Sequence, residues 1–264
     1  MPENRTSYAL ITGSSHGIGR AMAEECARRG IPVLLVALDE PELHRFTKYL
    51  SSTYNVATDC LGINLLEGNS PDRVHAWCKE KGYEVGILIN NAGFGRSGLF
   101  NNVALEEYYN MILLNNRAMI GLTYRFLPDL LQLPKAHILN MSSMEATLPL
   151  PYKAVYTGTK HFVYGISLAL REELKTTGIK VSVLCPGPTV TNEDGLRRIQ
   201  SQGKKAKLLV SMPEDVAKEA VAKMLKGQRV IIPGFMPYLI VQIMNRMPLG
   251  WKMSILERMF RAYR

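Results

Sequence analysis

The sequence predicts an α/β fold in which a doubly wound parallel sheet of about seven strands carries helices on both faces. Three observations predict it. Short apolar runs alternate with helical patterns, a glycine-rich turn follows the first run, and polar motifs follow several later ones. No linker, repeat or low-complexity segment interrupts the alternation. We therefore expect one domain over residues 1–234, with a helical extension over residues 235–264.

The first unit is a strand, a turn, a helix and a second strand. Tyr8–Thr12 is a short apolar run, and the helical periodicity of residues 21–29 stops at Gly30. Val33–Ala37 is the next apolar run. This βαβ order predicts parallel strands joined by a right-handed crossover.

The same alternation continues to the end of the predicted domain. The sequence predicts helices over residues 40–52, 71–81, 105–131, 154–177 and 213–226, and strands over residues 56–61, 86–89, 136–141, 179–184 and 229–232. Ser211 and Glu214 have the spacing of a capping box for the last of these helices. Seven strands in this order favour three layers, with the sheet between two layers of helices.

Charge and cysteine usage exclude several classes of protein. The net charge is +9, but the basic residues do not form a block interleaved with aromatic residues, so no nucleic-acid partner is expected. The four cysteines are scattered, which predicts neither a disulfide framework nor a metal site and favours the cytoplasm. We expect no signal peptide and no membrane-spanning segment.

The turn after the first strand has the composition of a phosphate-binding loop. It reads Thr12-Gly-Ser-Ser-His-Gly-Ile-Gly19. Gly13 permits a tight turn, while Gly17 and Gly19 let the backbone approach a phosphate and the sheet. The helix that follows presents unpaired N–H groups and the positive end of its dipole to a pyrophosphate. A plain βα turn is the alternative for this stretch taken alone.

Tyr156 and Lys160 are spaced so that both side chains share one helix face. A nearby ammonium group stabilises a phenolate, so the pattern predicts a lowered pKa for Tyr156 and a general acid–base near neutral pH. Taken alone, the pattern is more often a solvated surface pair. Its weight comes from the polar motifs after the predicted strands, because ligands of open parallel sheets bind at the carboxyl ends of the strands.

Together these motifs resemble the short-chain dehydrogenase/reductase family. The resemblance covers residues 8 to about 232, and its motifs are the glycine turn, Asn90-Asn-Ala-Gly93, Asn115, Ser143, Tyr156-x-x-x-Lys160 and Pro186-Gly187 with Thr191. It implies a Rossmann fold and an NAD(P)-dependent oxidoreductase that interconverts a carbonyl and a secondary alcohol by hydride transfer. It also implies a homodimer or homotetramer acting on a small molecule. The alternative is a non-enzymatic NAD(P)-binding regulator.

The resemblance also implies a role for each site residue. Tyr156 is expected as the general acid–base, Ser143 as the hydrogen-bond donor to the substrate oxygen, and Lys160 as the cation beside both. Asn115 is expected to hold a relay water; the alternative, which is compatible with that role, is a buried Asn that mends a helix irregularity. The implied cofactor contacts are Gly13, Ser15, His16, Gly17, Ile18, Gly19, Asn64, Asn91, Ala92, Gly93, Tyr156, Lys160, Pro186, Gly187, Thr189 and Thr191.

The residues that usually distinguish NAD-dependent from NADP-dependent enzymes are absent from the tip of the second predicted strand. An acidic residue at the tip of the second strand favours NAD. Here Ala37 and Leu38 stand at that tip, and Asp39 comes one residue later. His16 stands where NADP-dependent members of the family often carry a basic residue, so NADP is slightly preferred.

The substrate side of the cleft is predicted from the segments after the strands. The loop over residues 191–210 is expected to cover the substrate, and Phe94, Leu148, Leu150 and Tyr152 are expected to give the cleft an apolar lining. The extension resembles the tails of reductases related to those acting on long-chain 3-oxoacyl groups and 17-keto steroids. It is predicted to be an amphipathic helix that covers the cleft, touches a membrane surface or packs on a neighbouring subunit.

Overall fold

The computed structural model describes residues 7–189 and 210–263. Its strands form one parallel sheet in the order β3-β2-β1-β4-β5-β6-β7. The strands are β1 Tyr8–Thr12, β2 Val33–Ala37, β3 Thr58–Gly62, β4 Val85–Asn90, β5 Ala136–Met141, β6 Ile179–Leu184 and β7 Val230–Ile231. The predicted doubly wound sheet of seven strands is confirmed.

Helices cover both faces of this sheet. They are α1 Gly17–Arg28, α2 Pro41–Tyr54, α3 Ser70–Glu80, α4 Leu105–Ile112, α5 Met119–Leu130, α6 Ala154–Glu173, α7 Pro213–Leu225, α8 Phe235–Arg246 and α9 Leu249–Phe260. Within the described ranges, none of them combines the length and apolarity needed to cross a bilayer.

Successive residues of β1 supply two separate apolar layers. Ile11 packs into the layer that includes Phe46 of α2, whereas Leu10 packs into the layer that includes Phe126 of α5. All four side chains are at most 1% exposed. Successive side chains of a strand point to opposite faces of the sheet, and in this strand both faces are apolar. Helices therefore pack on both faces and give the three-layer arrangement.

Two predicted helix features differ in the structure. The single helix expected over residues 105–131 contains a π-helical segment, Leu113–Ala118, between α4 and α5. The expected capping box is wrong, because Met212 is the N-cap residue of α7 and Ser211 instead forms an isolated bridge with Thr189. That bridge fixes Ser211 to the segment after β6 and takes it out of the helix terminus.

The two C-terminal helices pack on the segment that follows β5. Met244 of α8 and Leu256 of α9 form a small buried cluster with Leu148 and Leu150. The expectation that these two leucines line the cleft is therefore wrong, because the C-terminal helices bury them. The side chain of Tyr152 is directed to α9 as well, where its hydroxyl donates to Glu257 Oε1 at 3.0 Å.

Candidate active site

A cavity of about 700 Å³ lies beyond the carboxyl ends of β1, β4, β5 and β6. Most of the predicted site residues surround it: Gly13, Ser15, His16, Gly17, Ile18, Gly19, Asn91, Ala92, Gly93, Ser143, Tyr156, Lys160, Pro186, Gly187 and Thr189. Thr191 and most of the predicted covering loop lie outside the described residues. The structure thus gathers motifs that are far apart in sequence around one space.

The glycine turn has a backbone that other residues would not fit. Gly13 and Gly17 have φ angles of +65° and +56°, in the region that glycine adopts at little cost. A Cβ on Gly19 would lie 2.2 Å from the carbonyl oxygen of Gly13. At the first turn of α1 no described side chain caps the helix, and the His16 ring instead contacts Ser15 Oγ at 2.9 Å. The N–H groups at this helix end are therefore available to an anion.

Asn91 connects this turn to the end of β4. Its side-chain amide donates to the carbonyl oxygens of Thr12 and Gly13, at 2.9 and 3.1 Å. Thr12 Oγ1 accepts in return from the backbone N–H groups of Asn91 and Ala92, at 2.9 and 3.0 Å. Asn91 therefore positions the turn as well as lining the cavity, a role that the sequence did not suggest.

Asn115 lies in the π-helical segment and joins two parts of the site. Its side chain accepts from the backbone N–H of Phe94 and donates to the carbonyl oxygen of the same residue, both at 3.0 Å. It also donates to Thr159 Oγ1, at 3.0 Å. Both amide hydrogens are thus used within the protein. Asn115 holds the loop after β4 against α6, and its relay role stays a prediction.

Ser143, Tyr156 and Lys160 come together beside the end of β5. The Ser143 side chain hydrogen-bonds to that of Tyr156. Lys160 Nζ lies 5.8 Å from the centroid of the Tyr156 ring and donates to the carbonyl oxygen of Met141 at 3.0 Å. The three groups can therefore contact one ligand at the same end of the cavity.

Burial governs the ionisation of the two titratable groups in this trio. The pKa of Tyr156 is raised, first by burial and then by the negative charge of Glu145, against a smaller lowering by its hydrogen bond with Ser143. Burial lowers the pKa of Lys160 to about 8. The expected lowering of the Tyr156 pKa is therefore wrong for the chain alone, because burial and the Glu145 carboxylate together outweigh the effect of Ser143. Near neutral pH the phenol is a proton donor.

Comparison with known proteins identifies the family. A family model described as short chain dehydrogenase matches residues 7–201, more than half of the chain. The chain belongs to this family. It is an oxidoreductase of the kind that acts on a CH–OH or carbonyl group, as the sequence motifs predicted.

Relatives of this short-chain dehydrogenase include proteins of a fish and a bird. Very-long-chain 3-oxoacyl-CoA reductase-A of Danio rerio is 32% identical over 195 residues, which make up 72% of this chain and 60% of that protein. Hydroxysteroid dehydrogenase-like protein 1 of Gallus gallus is 29% identical over 232 residues, 86% of this chain and 68% of that protein. This chain therefore spans less than two thirds of the fish reductase.

A similar solved structure is a short-chain dehydrogenase from Sphingobium yanoikuyae in complex with NADPH. It aligns with a TM-score of 0.76 at 29% identity, over 92% of this chain and 96% of that one. The similarity therefore extends over almost the whole length of both chains.

Glu145, Lys153 and Phe260 are among the side chains that line the cavity of this dehydrogenase but were not predicted. Glu145 and Lys153 form an ion pair at 2.9 Å. Phe260 comes from the end of α9. Glu145 Oε2 is buried and has no hydrogen-bond partner among the described residues. The position of Glu145 two residues after Ser143 could have predicted that it lies near the site. Nothing in the sequence predicted that Phe260 lies at the cavity.

Asn64 is the one described residue of the predicted cofactor set that is absent from the cavity lining. Its side-chain oxygen accepts from the backbone N–H of Leu66 at 3.0 Å. This contact forms a local turn after β3. The predicted contact between Asn64 and the adenine ring therefore stays a prediction.

Proposed function

We propose that this short-chain dehydrogenase interconverts a carbonyl and a secondary alcohol with NADP or NAD, using Tyr156 as the general acid–base. The observation that carries the proposal is the placement of Ser143, Tyr156 and Lys160 in the cavity that also contains the glycine turn. A phosphate-binding turn and a buried proton donor in one cavity suit a reaction between a dinucleotide and a second molecule.

The residues present fit a dinucleotide. The turn gives a close backbone approach at Gly19, and the first turn of α1 has N–H groups free for a pyrophosphate. Lys160 uses one of its N–H groups on Met141, which leaves donors for ribose hydroxyls. The Asp39 carboxylate accepts from His44 Nε2 at 2.8 Å. An acidic residue at this end of β2 would favour NAD, but the Asp39 carboxylate is already hydrogen-bonded to His44. NADP is therefore preferred to NAD.

In the direction of reduction, a bound nicotinamide cofactor would supply the hydride that the carbonyl carbon accepts. Tyr156 donates its phenolic proton to the carbonyl oxygen, and its raised pKa ensures that this proton is present at neutral pH. Ser143 hydrogen-bonds the same oxygen and stabilises the charge that develops there. The ammonium group of Lys160 then stabilises the phenolate that Tyr156 becomes.

The substrate is proposed to be a largely apolar carbonyl compound, such as a 3-oxoacyl thioester or a keto steroid. Phe94, Met144 and Phe260 line the cavity. The names of the relatives, a very-long-chain 3-oxoacyl-CoA reductase and a hydroxysteroid dehydrogenase-like protein, belong to the same substrate classes. Glu145 adds one polar group with an unused acceptor oxygen to this lining.

A screen of reduced cofactors against carbonyl compounds tests the proposed reaction. We expect NADPH, and to a smaller extent NADH, to be oxidised when one of the ketones, 3-oxoacyl thioesters or keto steroids is present. The loss of absorbance at 340 nm is the measurement. Cofactor binding without oxidation by any compound of the three classes would contradict the proposal and favour the alternative, a non-enzymatic NAD(P)-binding regulator.

The surface of α4 to α6 supports the proposed homodimer or homotetramer. Large apolar side chains lie exposed there: Tyr109, Ile112, Ile120, Tyr124 and Phe162. Apolar surface of this kind on one face of neighbouring helices favours burial against another subunit.

The C-terminal helices are proposed to contact the surface of an anionic membrane. Leu249, Trp251 and Met259 of α9 are exposed, and Arg246, Lys252 and Arg258 lie on the same two helices. Exposed apolar residues next to basic ones are typical of peripheral helices that bind at the lipid interface. Phe260 also brings this extension to the cavity, so that membrane contact and substrate entry would meet at one surface.

Replacing Trp251 with glutamate is expected to reduce sedimentation with anionic vesicles several-fold, because the change removes an apolar contact and adds a repelled charge. Phe100→Glu, in the segment between β4 and α4, is the matched control, since Phe100 and Trp251 are 66% and 70% exposed and Phe100 lies outside the proposed subunit surface. Equal sedimentation of the wild type and both variants would contradict the membrane contact. A drop in mass by light scattering for Trp251→Glu would instead assign α9 to a contact between subunits.

A further inference from the structure

A cysteine, a histidine and an aspartate form a chain of contacts beside the edge strand of the sheet. Cys60 lies on β3, His44 on α2 and Asp39 after the end of β2. His44 Nδ1 is 3.5 Å from Cys60 Sγ, and His44 Nε2 is 2.8 Å from Asp39 Oδ1. Three separate elements thus place a thiol, an imidazole and a carboxylate in line.

The two contacts of His44 fix a useful arrangement of protons. When Nε2 carries the proton and donates it to Asp39, the lone pair of Nδ1 faces the thiol of Cys60. The imidazole can then take the thiol proton, and the carboxylate stabilises the imidazolium that forms. Because the contacts use opposite ring nitrogens, the three groups cannot surround one metal ion. Consistent with this, the described residues contain no cluster of metal-binding side chains.

The Asp39 side chain also lies close to the end of β3. A Cβ on Gly62, at the end of β3, would lie 2.5 Å from the Asp39 side chain. The absence of a side chain at Gly62 therefore makes room for the carboxylate beside the strand. Asp39 can therefore lie close to the strand and still reach His44.

Cys60 differs from the other three cysteines in access. Cys26, Cys78 and Cys185 are buried, and burial raises the pKa of each of their thiols to about 12. Cys60 is only partly buried, and the side chains of its partners His44 and Asp39 are 54% and 71% exposed. A small reagent can therefore reach Cys60 in the folded chain, whereas the other thiols are inert.

We propose that Cys60 is a thiol–disulfide exchange site for low-molecular-weight disulfides, with His44 as its base and Asp39 as the group that orients the base. The thiol proton moves to His44 Nδ1, and the thiolate attacks one sulfur of the disulfide. A new S–S bond joins Cys60 to half of the reagent, and the other half leaves as a thiolate. No further oxidant is needed, because the disulfide is reduced as Cys60 is oxidised.

The test is the reaction of the cofactor-free full chain with 5,5′-dithiobis(2-nitrobenzoate) at pH 7, followed by the absorbance of the released aryl thiolate. We expect one rapid equivalent per chain, which Cys60→Ser removes. An isolated thiol is only a few per cent ionised at this pH, so His44→Gln should slow the rapid phase about tenfold. Asp39→Asn should slow it less. At pH 9 thiols ionise without help, and the rates of the wild type and His44→Gln should converge.

His161→Gln is the matched control, because it removes an exposed histidine from α6 and should leave the rapid phase unchanged. Circular dichroism checks that every variant is folded. A rapid phase that survives Cys60→Ser would overturn the proposal. Equal rates for wild type and His44→Gln at pH 7 would overturn it too, since Cys60 would then be accessible without being activated.

Discussion

Tyr156→Phe is expected to lower turnover by about 10²- to 10⁴-fold while leaving the dissociation constant of NADPH nearly unchanged. The phenylalanine ring keeps the packing against Gly95, whose added Cβ would lie 2.7 Å from the Tyr156 ring. Only the phenolic hydroxyl, the proposed proton donor, is lost. Steady-state kinetics and a fluorescence titration of NADPH measure the two quantities separately.

Tyr164→Phe is the matched control for this experiment. Tyr164 lies on the same helix as Tyr156, but it lines a different cavity. Its variant should keep the activity of the wild type. Substantial turnover in Tyr156→Phe, or an equal loss in Tyr164→Phe, would remove Tyr156 from the mechanism.

Lys160→Met is expected to abolish turnover and weaken NADPH binding, yet to stabilise the cofactor-free fold at pH 7. Lys160 is buried with a lowered pKa of about 8. The difference between this pKa and that of an ordinary lysine corresponds to a free-energy cost of about 3 kcal/mol for burying the charge. Removing the charge avoids this cost, but the variant also loses the hydrogen bond to Met141, which offsets about 1 kcal/mol of the stabilisation. A net increase of about 2 kcal/mol in the free energy of unfolding remains.

The pH dependence of this stability difference has a definite sign. Below pH 8 Lys160 is charged in both folded and unfolded chains, so the whole cost of burying the charge is present. Between about pH 8 and 10.4 the unfolded chain binds more protons, and the contribution of Lys160 to folding becomes less unfavourable. Urea denaturation at pH 7 and pH 9.5 should therefore show the gain of Lys160→Met shrinking. A variant that is less stable than the wild type at pH 7 would contradict this account of Lys160.

Much of the fold could be predicted because its strands are short apolar runs between turn signals. The predicted bounds of β1, β2, β5 and β6 agree with the structure. The edge strands are less regular in pattern, and β3 and β7 begin later than predicted. At Asn115 the sequence suggested only an unspecified helix irregularity, because composition does not distinguish a helix with five-residue hydrogen-bond spacing from an α-helix.

The sequence motifs predicted which residues form the site, but they did not predict the direction in which the pKa of Tyr156 is shifted. Tyr156 and Lys160 share the cavity as their spacing implied, but the direction of the Tyr156 pKa depends on how deeply the phenol is buried. Burial depth and the nearby charge of Glu145 are tertiary properties, and neither follows from a local pattern. Phe260 reaches the cavity only because α8 and α9 pack on Leu148 and Leu150.

The most direct measurement of the central claim follows a labelled hydride into product. NADPH carrying deuterium at the transferable position of its nicotinamide is incubated with the carbonyl compound that the cofactor screen identifies, and the alcohol is analysed by mass spectrometry. The account predicts one deuterium on the carbinol carbon with the wild type, and about 100-fold less of this alcohol, or an even smaller amount, with Tyr156→Phe in the same time. An alcohol without deuterium, or labelled alcohol formed at the wild-type rate by Tyr156→Phe, would contradict it.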